Sequence, residues 1–465
     1  MLKPAYALLA LLACATPVLA QPISPEERAR IDKLVTETLQ KTRTPSASIA
    51  IVRGGELVLA KAYGKASETI PAATPALPYQ IASNSKQFTA MALLLLEDEG
   101  KLDLDDKVSK YLPGISGGDR ISLRQLLSHT SGLQDYWPQD FSFPAMATPT
   151  SPQQILDIWA KKPLDYEPGT QWQYSNTGYV VAGQIVEKVA GEPLFAFLWK
   201  RIFQPLGMTS VVDMDKAIGP AFPQGYRRAA LGPVRVEAPA APGWLYAAGE
   251  LSMTATDLAK WNIARMNRAH IPAEDWEEQE RTVRLTHGED TNYGLGVYKR
   301  VSNGRVVISH SGESAGFLSS NNVYPDSRSA IVVMTNTWSS GAYGQISRGL
   351  AEIILPASSA VAIAASHAAR VRTVFDQLRS GALDRKLLTG NANYYFTPTV
   401  TADFRSSLSP LGAPVSIEPE GSSTLRGGFV IQDYTVKYSN RTLDLSVFFE
   451  PGANGRIEQF LVRGE

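Results

Sequence analysis

Ser83 and Lys86 stand at the start of a strongly apolar segment, and their types and spacing could support nucleophilic chemistry. The run from Ala90 to Leu96 is wholly apolar, which predicts a helix buried on every side. Residues three apart on a helix face the same way, so the Lys86 amine can reach the Ser83 hydroxyl. Because burial lowers the pKa of a lysine, we predict that Lys86 acts as a base for Ser83. The alternative is an ordinary exposed helix end with the ammonium in water.

Tyr174 and Asn176 form a second candidate group, in the segment YEPGTQWQYSNTGYVVAGQIVEKVAG. Its Pro-Gly turn is predicted to present both side chains at the start of an amphipathic helix. A tyrosine phenol can move a proton when cations lie nearby, and an asparagine amide can hold a substrate carbonyl. The same Tyr-Ser-Asn sequence recurs at residues 438–440 between two alternating strands, where we predict a plain hairpin turn.

His310 and Gly312 belong to a third candidate segment, VVISHSGESAGF, at the end of a predicted strand. Gly312 would leave room for a substrate backbone to pass close to the strand. Taken singly, His310 is interpreted as an ordinary strand-end histidine. Another histidine, His129 in LLSHTSGL, is expected to brace a loop at the edge of the site rather than titrate in catalysis.

Strands from both ends of a long first domain are predicted to position these side chains. The predicted elements are a helix at 24–41, a hairpin at 46–64, strands at 305–312, 317–325 and 329–336, and a helix at 343–355. This order predicts an α+β fold with one antiparallel sheet, which terminal helices cover on one face and a helical insert covers on the other.

The length of 465 residues exceeds one ordinary hydrophobic core, so two domains are expected. We predict a first domain over residues 21–355, a linker of small residues at 356–365, and a small α+β domain at 366–465. In the small domain we expect a helix near residues 366–380, followed by three alternating strands.

Composition and charge exclude several classes of protein. The chain has 44% hydrophobic and 19% charged residues, which is typical of a globular fold. Its 45 basic and 45 acidic residues cancel without a basic block, so a nucleic-acid partner is not expected. The five histidines are scattered, and no cluster of metal ligands is evident, so we expect neither a metal ion nor another cofactor.

The first 20 residues have the pattern of a signal peptide. Lys3 precedes an apolar stretch from about Ala7 to Ala15, and a cleavage signal ends at Ala20. This predicts a bacterial periplasmic or secreted protein without a membrane span, because no later stretch is apolar for long enough. Cys14 is the single cysteine, and a lipid anchor on it is the alternative.

Taken together, the three candidate segments resemble those of the serine β-lactamase and penicillin-binding superfamily. The similarity is to the branch containing class C β-lactamases, D-alanyl-D-alanine carboxypeptidases and esterases, and it covers about residues 24–355. Further stretches that resemble this branch are LLSHTSGL, YEPGTQWQYSNTGY, IFQPLGMTS and YAAGELSMTATDLAKW.

The resemblance implies a role for each candidate residue. Ser83 would attack a carbonyl, Lys86 with Tyr174 would move its proton, and Asn176 would hold the substrate amide. The oxyanion would bind the backbone N–H groups of Ser83 and Glu313. His310 stands where β-lactamases commonly carry the lysine of Lys-Thr-Gly, and a histidine offers a substrate carboxylate only a partial positive charge. This departure argues against efficient lactam hydrolysis.

The function that this resemblance implies is a serine hydrolase that forms an acyl-enzyme with a small amide or ester. Peptides containing D-residues are the favoured substrates, and β-lactams are the other class considered. The alternatives are a carboxylesterase and a penicillin-recognising sensor that is acylated without turnover. The small last domain resembles cystatin-like modules attached to such hydrolases, and a role in stability or docking is expected for it.

Overall fold

The computed structural model describes residues 21–464 except 231, 303, 339 and 356–358. The predicted signal peptide of residues 1–20, with Cys14, lies outside the described residues. The chain divides into two compact units, Met1–Leu355 and Pro356–Glu465. Within the described part of the chain, no helix is both long and apolar enough to cross a membrane.

The first unit is built on a six-stranded antiparallel sheet with the strand order β2-β1-β11-β10-β9-β8. The strands of this unit are β1 (Ser46–Arg53), β2 (Glu56–Gly64), β3 (Tyr79–Gln80), β4 (Val212–Asp213), β5 (Tyr226–Arg228), β6 (Val234–Val236), β7 (Leu251–Met253), β8 (Tyr298–Ser302), β9 (Arg305–Ser314), β10 (Phe317–Tyr324), β11 (Ser329–Thr335) and β12 (Thr337–Trp338). The strands outside the main sheet form two small sheets of three strands each.

Helices cover both faces of the main sheet. The helices of the first unit are α1 (Pro25–Thr42), α2 (Lys86–Asp98), α3 (Leu123–Leu127), α4 (Pro152–Ile155), α5 (Asn176–Ala190), α6 (Leu194–Leu198), α7 (Tyr246–Gly249), α8 (Ala255–Asn267), α9 (Ala273–Glu280) and α10 (Ala342–Ile354). The sequence sets the start of α1, because Ser24 and Glu27 form a reciprocal capping box.

The alternation of side chains along β1 divides the core into two layers. Ile49 and Ile51 join a hydrophobic cluster with α1 and α10, whereas Ala50 and Val52 join the cluster that contains α2, α5 and α8. The predicted α+β architecture is therefore confirmed: one antiparallel sheet is assembled from both ends of the unit, with terminal helices on one face and the helical insert on the other. The prediction missed the edge strand β8.

The second unit combines helices with a four-stranded antiparallel sheet in the order β13-β14-β15-β16. Its elements are α11 (Ser359–Ser380), α12 (Gly390–Tyr395), α13 (Pro398–Leu408), β13 (Ser416–Arg426), β14 (Phe429–Lys437), β15 (Thr442–Phe449) and β16 (Ile457–Arg463). The predicted strands correspond to β14, β15 and β16, and β13 was missed.

Two further expectations for this unit can be compared with the structure. Of the predicted linker at 356–365, residues 356–358 lie outside the described residues. Residues 359–365 form the first turns of α11, because their alanines favour a helix despite the weak apolar pattern. Residues 438–440 form the turn between β14 and β15, with the Tyr438 N–H donating to the Arg441 carbonyl at 2.9 Å. The second Tyr-Ser-Asn copy is thus a hairpin turn, as predicted.

Candidate active site

Ser83 is presented by a short turn that leads directly into α2. The turn is a single 3-10 helix, Ala82–Ser85, and Ser83 in it is half-buried. Ala82 has a φ of 48°, in the left-handed region that a residue with a Cβ rarely adopts. Asn84 ties the turn to the sheet, because its Nδ2 donates to the Ser319 hydroxyl of β10 at 2.9 Å. The position of Ser83 is therefore fixed by the helix on one side and the sheet on the other.

The amine of Lys86 is fully buried one turn after Ser83. Its Nζ lies 2.7 Å from the Ala248 carbonyl oxygen, 2.8 Å from Asn176 Oδ1 and 3.1 Å from Ser83 Oγ. Burial lowers the pKa of Lys86 to about 7, and the negative charge of Asp135 opposes part of that decrease. A large fraction of this amine is therefore neutral near pH 7.

The hydrogen-bond partners of the neutral Lys86 amine determine the direction of its lone pair. A neutral amine has two N–H donors and one lone pair, and the Ala248 carbonyl and Asn176 Oδ1 can only accept. Both N–H groups are used by these acceptors, so the lone pair faces the Ser83 hydroxyl. The arrangement is that of a general base poised to remove the serine proton.

Asp135 fixes the orientation of Asn176 that this geometry requires. Asn176 Nδ2 donates to Asp135 Oδ2 at 3.2 Å, which turns Oδ1 of the amide toward Lys86. Asp135 Oδ1 accepts the N–H groups of Asn176 and Trp137, each at 3.1 Å. Burial raises the pKa of Asp135, and the hydrogen bonds from Trp137 and Asn176 and the charge of Lys86 oppose part of that rise. Asp135 is thus a positioning residue for the Asn176 amide.

Tyr174 lies beside Lys86 with its phenol oriented into the site. Lys86 Nζ is 4.8 Å from the centre of the Tyr174 ring. The Tyr174 hydroxyl is buried and makes no hydrogen bond within the described part of the chain. Burial raises the pKa of Tyr174 well above 10, and the nearby Ser83 hydroxyl opposes part of this rise. Tyr174 is therefore a neutral O–H donor that has no permanent partner.

His310 lies behind Tyr174 rather than on the wall of the cleft. Its ring centre is 6.2 Å from that of Tyr174, and the side chain is buried. Burial and the charge of Lys86 lower the pKa of His310 to about 3, so the imidazole is neutral. The expectation of a partial positive charge for a substrate carboxylate is wrong, because desolvation holds this group in its uncharged form.

A directional chain of hydrogen bonds joins His310 to His129. His310 Nδ1 lies 2.5 Å from the Ser311 carbonyl and must donate to it, so its Nε2 accepts from the Tyr293 hydroxyl at 3.0 Å. At the other end, His129 Nδ1 accepts the Ser175 N–H at 3.1 Å, so its Nε2 donates to the Tyr293 oxygen at 3.2 Å. Burial, Lys86 and His310 together lower the pKa of His129 well below 6.5. His129 braces the segment that carries Tyr174, as predicted.

Gly312 is needed for a different contact from the one we expected. A Cβ at Gly312 would lie 1.9 Å from the Ile81 carbonyl oxygen and 2.5 Å from Ser319 Oγ. The room beside Gly312 is therefore filled by the segment that leads to Ser83, rather than left for a substrate backbone. The next residue, Glu313, lies on the exposed side of β9, and its carboxylate accepts a hydrogen bond from the Trp338 indole.

A cavity of about 360 Å³ opens in front of Ser83. The residues that line it are Ser83, Asp135, Tyr136, Trp137, Pro138, Gln139, Asp140, Gln173, Tyr174, Asn176, Leu245, Ala248, Glu313 and Trp338. The structure thus brings together Ser83, Tyr174, Asn176 and Glu313 around the cavity, with Lys86 directly behind them. His310 and Gly312 do not line it.

Two residues with evident roles were missed by the sequence analysis. Asp135 is the second residue after LLSHTSGL, and its position near a motif already noted was the only signal for it. Tyr293 had no signal, because its partners His129 and His310 are remote in the sequence and their approach depends on the fold.

Comparison with known proteins identifies the family and the proteins to which this chain is similar. The model of the family described as beta-lactamase matches residues 31–354. Penicillin-binding protein 4* of Bacillus subtilis is 30% identical over 337 residues, which cover 69% of this chain and 74% of that protein. A putative penicillin-binding protein of the same organism is 28% identical and covers 66% of this chain and 75% of its own length.

Solved structures extend the similarity. A D-stereospecific amidohydrolase from Streptomyces has a TM-score of 0.60 at 27% identity, with 69% of this chain and 97% of that chain covered. An octameric penicillin-binding protein homologue from Pyrococcus abyssi has a TM-score of 0.60 at 21% identity, which shows the fold alone. That similarity covers 94% of this chain and 100% of the Pyrococcus abyssi chain.

Proposed function

This chain belongs to the beta-lactamase family of serine hydrolases, and on that premise we propose that it hydrolyses small amides or esters through an acyl-enzyme on Ser83. The observation that carries the proposal is the lone pair of Lys86. Its two N–H groups are taken by the Ala248 carbonyl and Asn176 Oδ1, which leaves the lone pair for the Ser83 proton.

In acylation, Ser83 Oγ forms a bond to the substrate carbonyl carbon while its proton moves to Lys86 Nζ. The carbonyl oxygen becomes an oxyanion, which the backbone N–H groups of Ser83 and Glu313 would stabilise. Collapse of this intermediate breaks the bond to the leaving group. Tyr174 donates its phenol proton to that group and regains a proton from the Lys86 ammonium.

Deacylation repeats these steps with water as the nucleophile. Water attacks the acyl carbon, and its proton passes to the neutral Lys86 amine through the Tyr174 hydroxyl, which gives up its own proton as it takes the proton of water. As the ester bond breaks, the same pair returns a proton to Ser83, which restores the hydroxyl and the neutral amine. Asn176 is well placed to hold the substrate amide, because Asp135 keeps its own amide in one orientation.

Amides of D-residues are the substrates we favour. The similarity to a D-stereospecific amidohydrolase supports this choice, and a cavity of about 360 Å³ suits a small acyl group. A carboxylesterase is the second candidate, since a neutral ester needs no cation in the cavity and His310 supplies none. The pattern of residues 1–20 supports a periplasmic or secreted location for either activity.

Mass spectrometry of the intact protein tests the proposal. A fluorophosphonate should add once to Ser83, and Ser83→Ala should abolish this labelling and lower ester turnover by on the order of a thousandfold. Ser85→Ala is the matched control in the same turn, since its hydroxyl accepts the Leu251 N–H at 3.2 Å rather than facing Lys86, and it should cost far less. Hydrolysis by Ser83→Ala at the wild-type rate would contradict the assignment.

Penicillin distinguishes the hydrolase from a sensor. After exposure to penicillin and removal of the excess, a hydrolase should lose any adduct on Ser83 as the acyl-enzyme reacts with water. An adduct that persists would instead favour a penicillin-recognising protein that does not turn over.

A further inference from the structure

The charged side chains that line the cavity in front of Ser83 all have the same sign. They are Asp135, Asp140 and Glu313, and no lysine, arginine or histidine is among the described residues of the lining. Lys86 lies behind the lining residues, and its Nζ contacts Ser83, Asn176 and Ala248. A substrate that enters the cavity therefore meets a negative potential.

Glu313 and Asp140 are the two carboxylates available to a ligand. Asp135 is engaged by the N–H groups of Trp137 and Asn176 and by the Asn176 side chain, so its role is to orient that amide. Asp140 is exposed, and the Trp338 indole anchors Glu313 on the cavity wall. Burial raises the pKa of Glu313, and the negative charge of Asp140 adds to that rise, so the two carboxylates lie close enough to interact electrostatically.

Aromatic rings complete the surroundings of these carboxylates. Trp137 and Trp338 both line the cavity and pack edge to face with their ring centres 6.1 Å apart. The faces of indole rings attract cations, and carboxylates do so more strongly. Paired acids beside indole rings form a suitable environment for an ammonium group, and a poor one for a carboxylate.

We propose that this cavity selects amides and esters whose acyl part carries a free ammonium group, and that it disfavours substrates with a carboxylate near the scissile bond. The proposal rests on the proposed function, since it names the substrate class of the same site. Glu313 follows the strand residue Gly312, which packs against the segment that leads to Ser83, so a group held by its carboxylate lies close to the reacting carbonyl. Amino-acid amides and peptides with a free amino terminus meet this requirement.

Three anilides with one leaving group test the selection. They are the p-nitroanilides of D-alanine, N-acetyl-D-alanine and N-succinyl-D-alanine, which carry a positive, a neutral and a negative acyl part. Near pH 7, below the usual α-amino pKa of about 8, kcat/KM should fall in that order, by roughly tenfold at each step. Equal values, or a preference for the succinyl compound, would overturn the proposal.

Substitutions of the two cavity carboxylates test whether they cause the preference for the ammonium substrate. Glu313→Gln and Asp140→Asn should each reduce the ratio of kcat/KM for the ammonium substrate to that for the neutral substrate by several-fold. Glu56→Gln removes an exposed carboxylate that does not line the cavity, and it should leave the ratio unchanged. A ratio that is unaffected in both cavity variants would contradict the proposed role of these acids.

Wild-type protein supplies an independent measurement if a variant does not fold. Raising the salt concentration from about 0.01 M to 1 M shortens the Debye length from about 30 Å to 3 Å, so the preference for the ammonium substrate should decrease. A salt-independent preference would contradict an electrostatic origin. If the neutral anilide is hydrolysed and Ser83 is labelled without any charge preference, this inference fails and the proposed function stands. If Ser83 is never acylated, the proposed function fails as well.

Discussion

The charge state of Lys86 should set the pH dependence of the reaction. Burial lowers the pKa of Lys86 to about 7, and only the neutral amine has a lone pair for the Ser83 proton. Below this pKa the added proton blocks the base, so kcat/KM for a neutral ester should rise with pH and level off above a midpoint near 7. The measurement is a profile from about pH 5 to 9, and a flat profile would exclude Lys86 as the base.

Asp135→Asn provides a control on that assignment. The negative charge of Asp135 raises the pKa of Lys86, so its removal should move the midpoint to lower pH. The plateau should fall as well, because the Asn176 amide loses the carboxylate that orients it. An unchanged midpoint would indicate that another group controls the profile.

Tyr174 and Tyr438 allow the same substitution to be compared in two copies of one tripeptide. Tyr174→Phe should slow acylation by about a hundredfold or more, because it removes the buried O–H beside Ser83. Tyr438→Phe changes a hairpin turn of the second unit and should leave acylation within about threefold. Stopped-flow acylation by a chromogenic ester measures both, and equal losses would contradict the assignment of Tyr174.

Among the secondary-structure elements, the contact between β9 and the segment before Ser83 should be sensitive to a single methyl group. Gly312→Ala would place a Cβ 1.9 Å from the Ile81 carbonyl oxygen, so the segment must move. We expect a loss of about 1–3 kcal/mol or more in the free energy of unfolding and a slower acylation. Chemical denaturation and fluorophosphonate labelling rates measure these effects.

Gly344→Ala is the matched control for this substitution. Gly344 lies in α10, and a Cβ there would meet only the end of the Arg348 side chain, at 3.4 Å. Alanine favours a helix over glycine by up to about 1 kcal/mol, so this variant should be as stable as wild type or slightly more so. A Gly312→Ala protein as stable and active as the control would show that the segment tolerates displacement.

Local patterns predicted the elements better than they predicted the site. Alternation and turn residues located β1, β2 and the three central late strands, because both signals depend on neighbours in the sequence. The spacing of Ser83 and Lys86 similarly predicted their contact. The charge state of His310 depends on burial and on Lys86, which is remote in the sequence. The motif therefore predicted that His310 lies near the site, but not that its imidazole is neutral. Asp135 was missed for the same reason, since its partner Asn176 comes from another segment.

For the whole molecule, the division into two units predicts that the proposed chemistry needs only the first. Every residue that lines the cavity precedes residue 356, and the second unit has a hydrophobic cluster of its own. A protein limited to residues 21–355 should fold and react with a fluorophosphonate within about threefold of the full-length rate. Aggregation of this fragment, or failure to label Ser83, would show that the first unit requires the second.

The hydrogen-bond chain through Tyr293 also gives the folded molecule an internal spectroscopic signal. Each imidazole in it has a single N–H proton with a defined position, on His129 Nε2 and on His310 Nδ1. Both imidazoles are buried, so these protons are shielded from exchange with solvent and should give separate downfield resonances in a nuclear magnetic resonance spectrum. The chain joins segments around residues 129, 175, 293 and 310, so the two resonances report that these distant parts of the sequence have assembled, without any substrate.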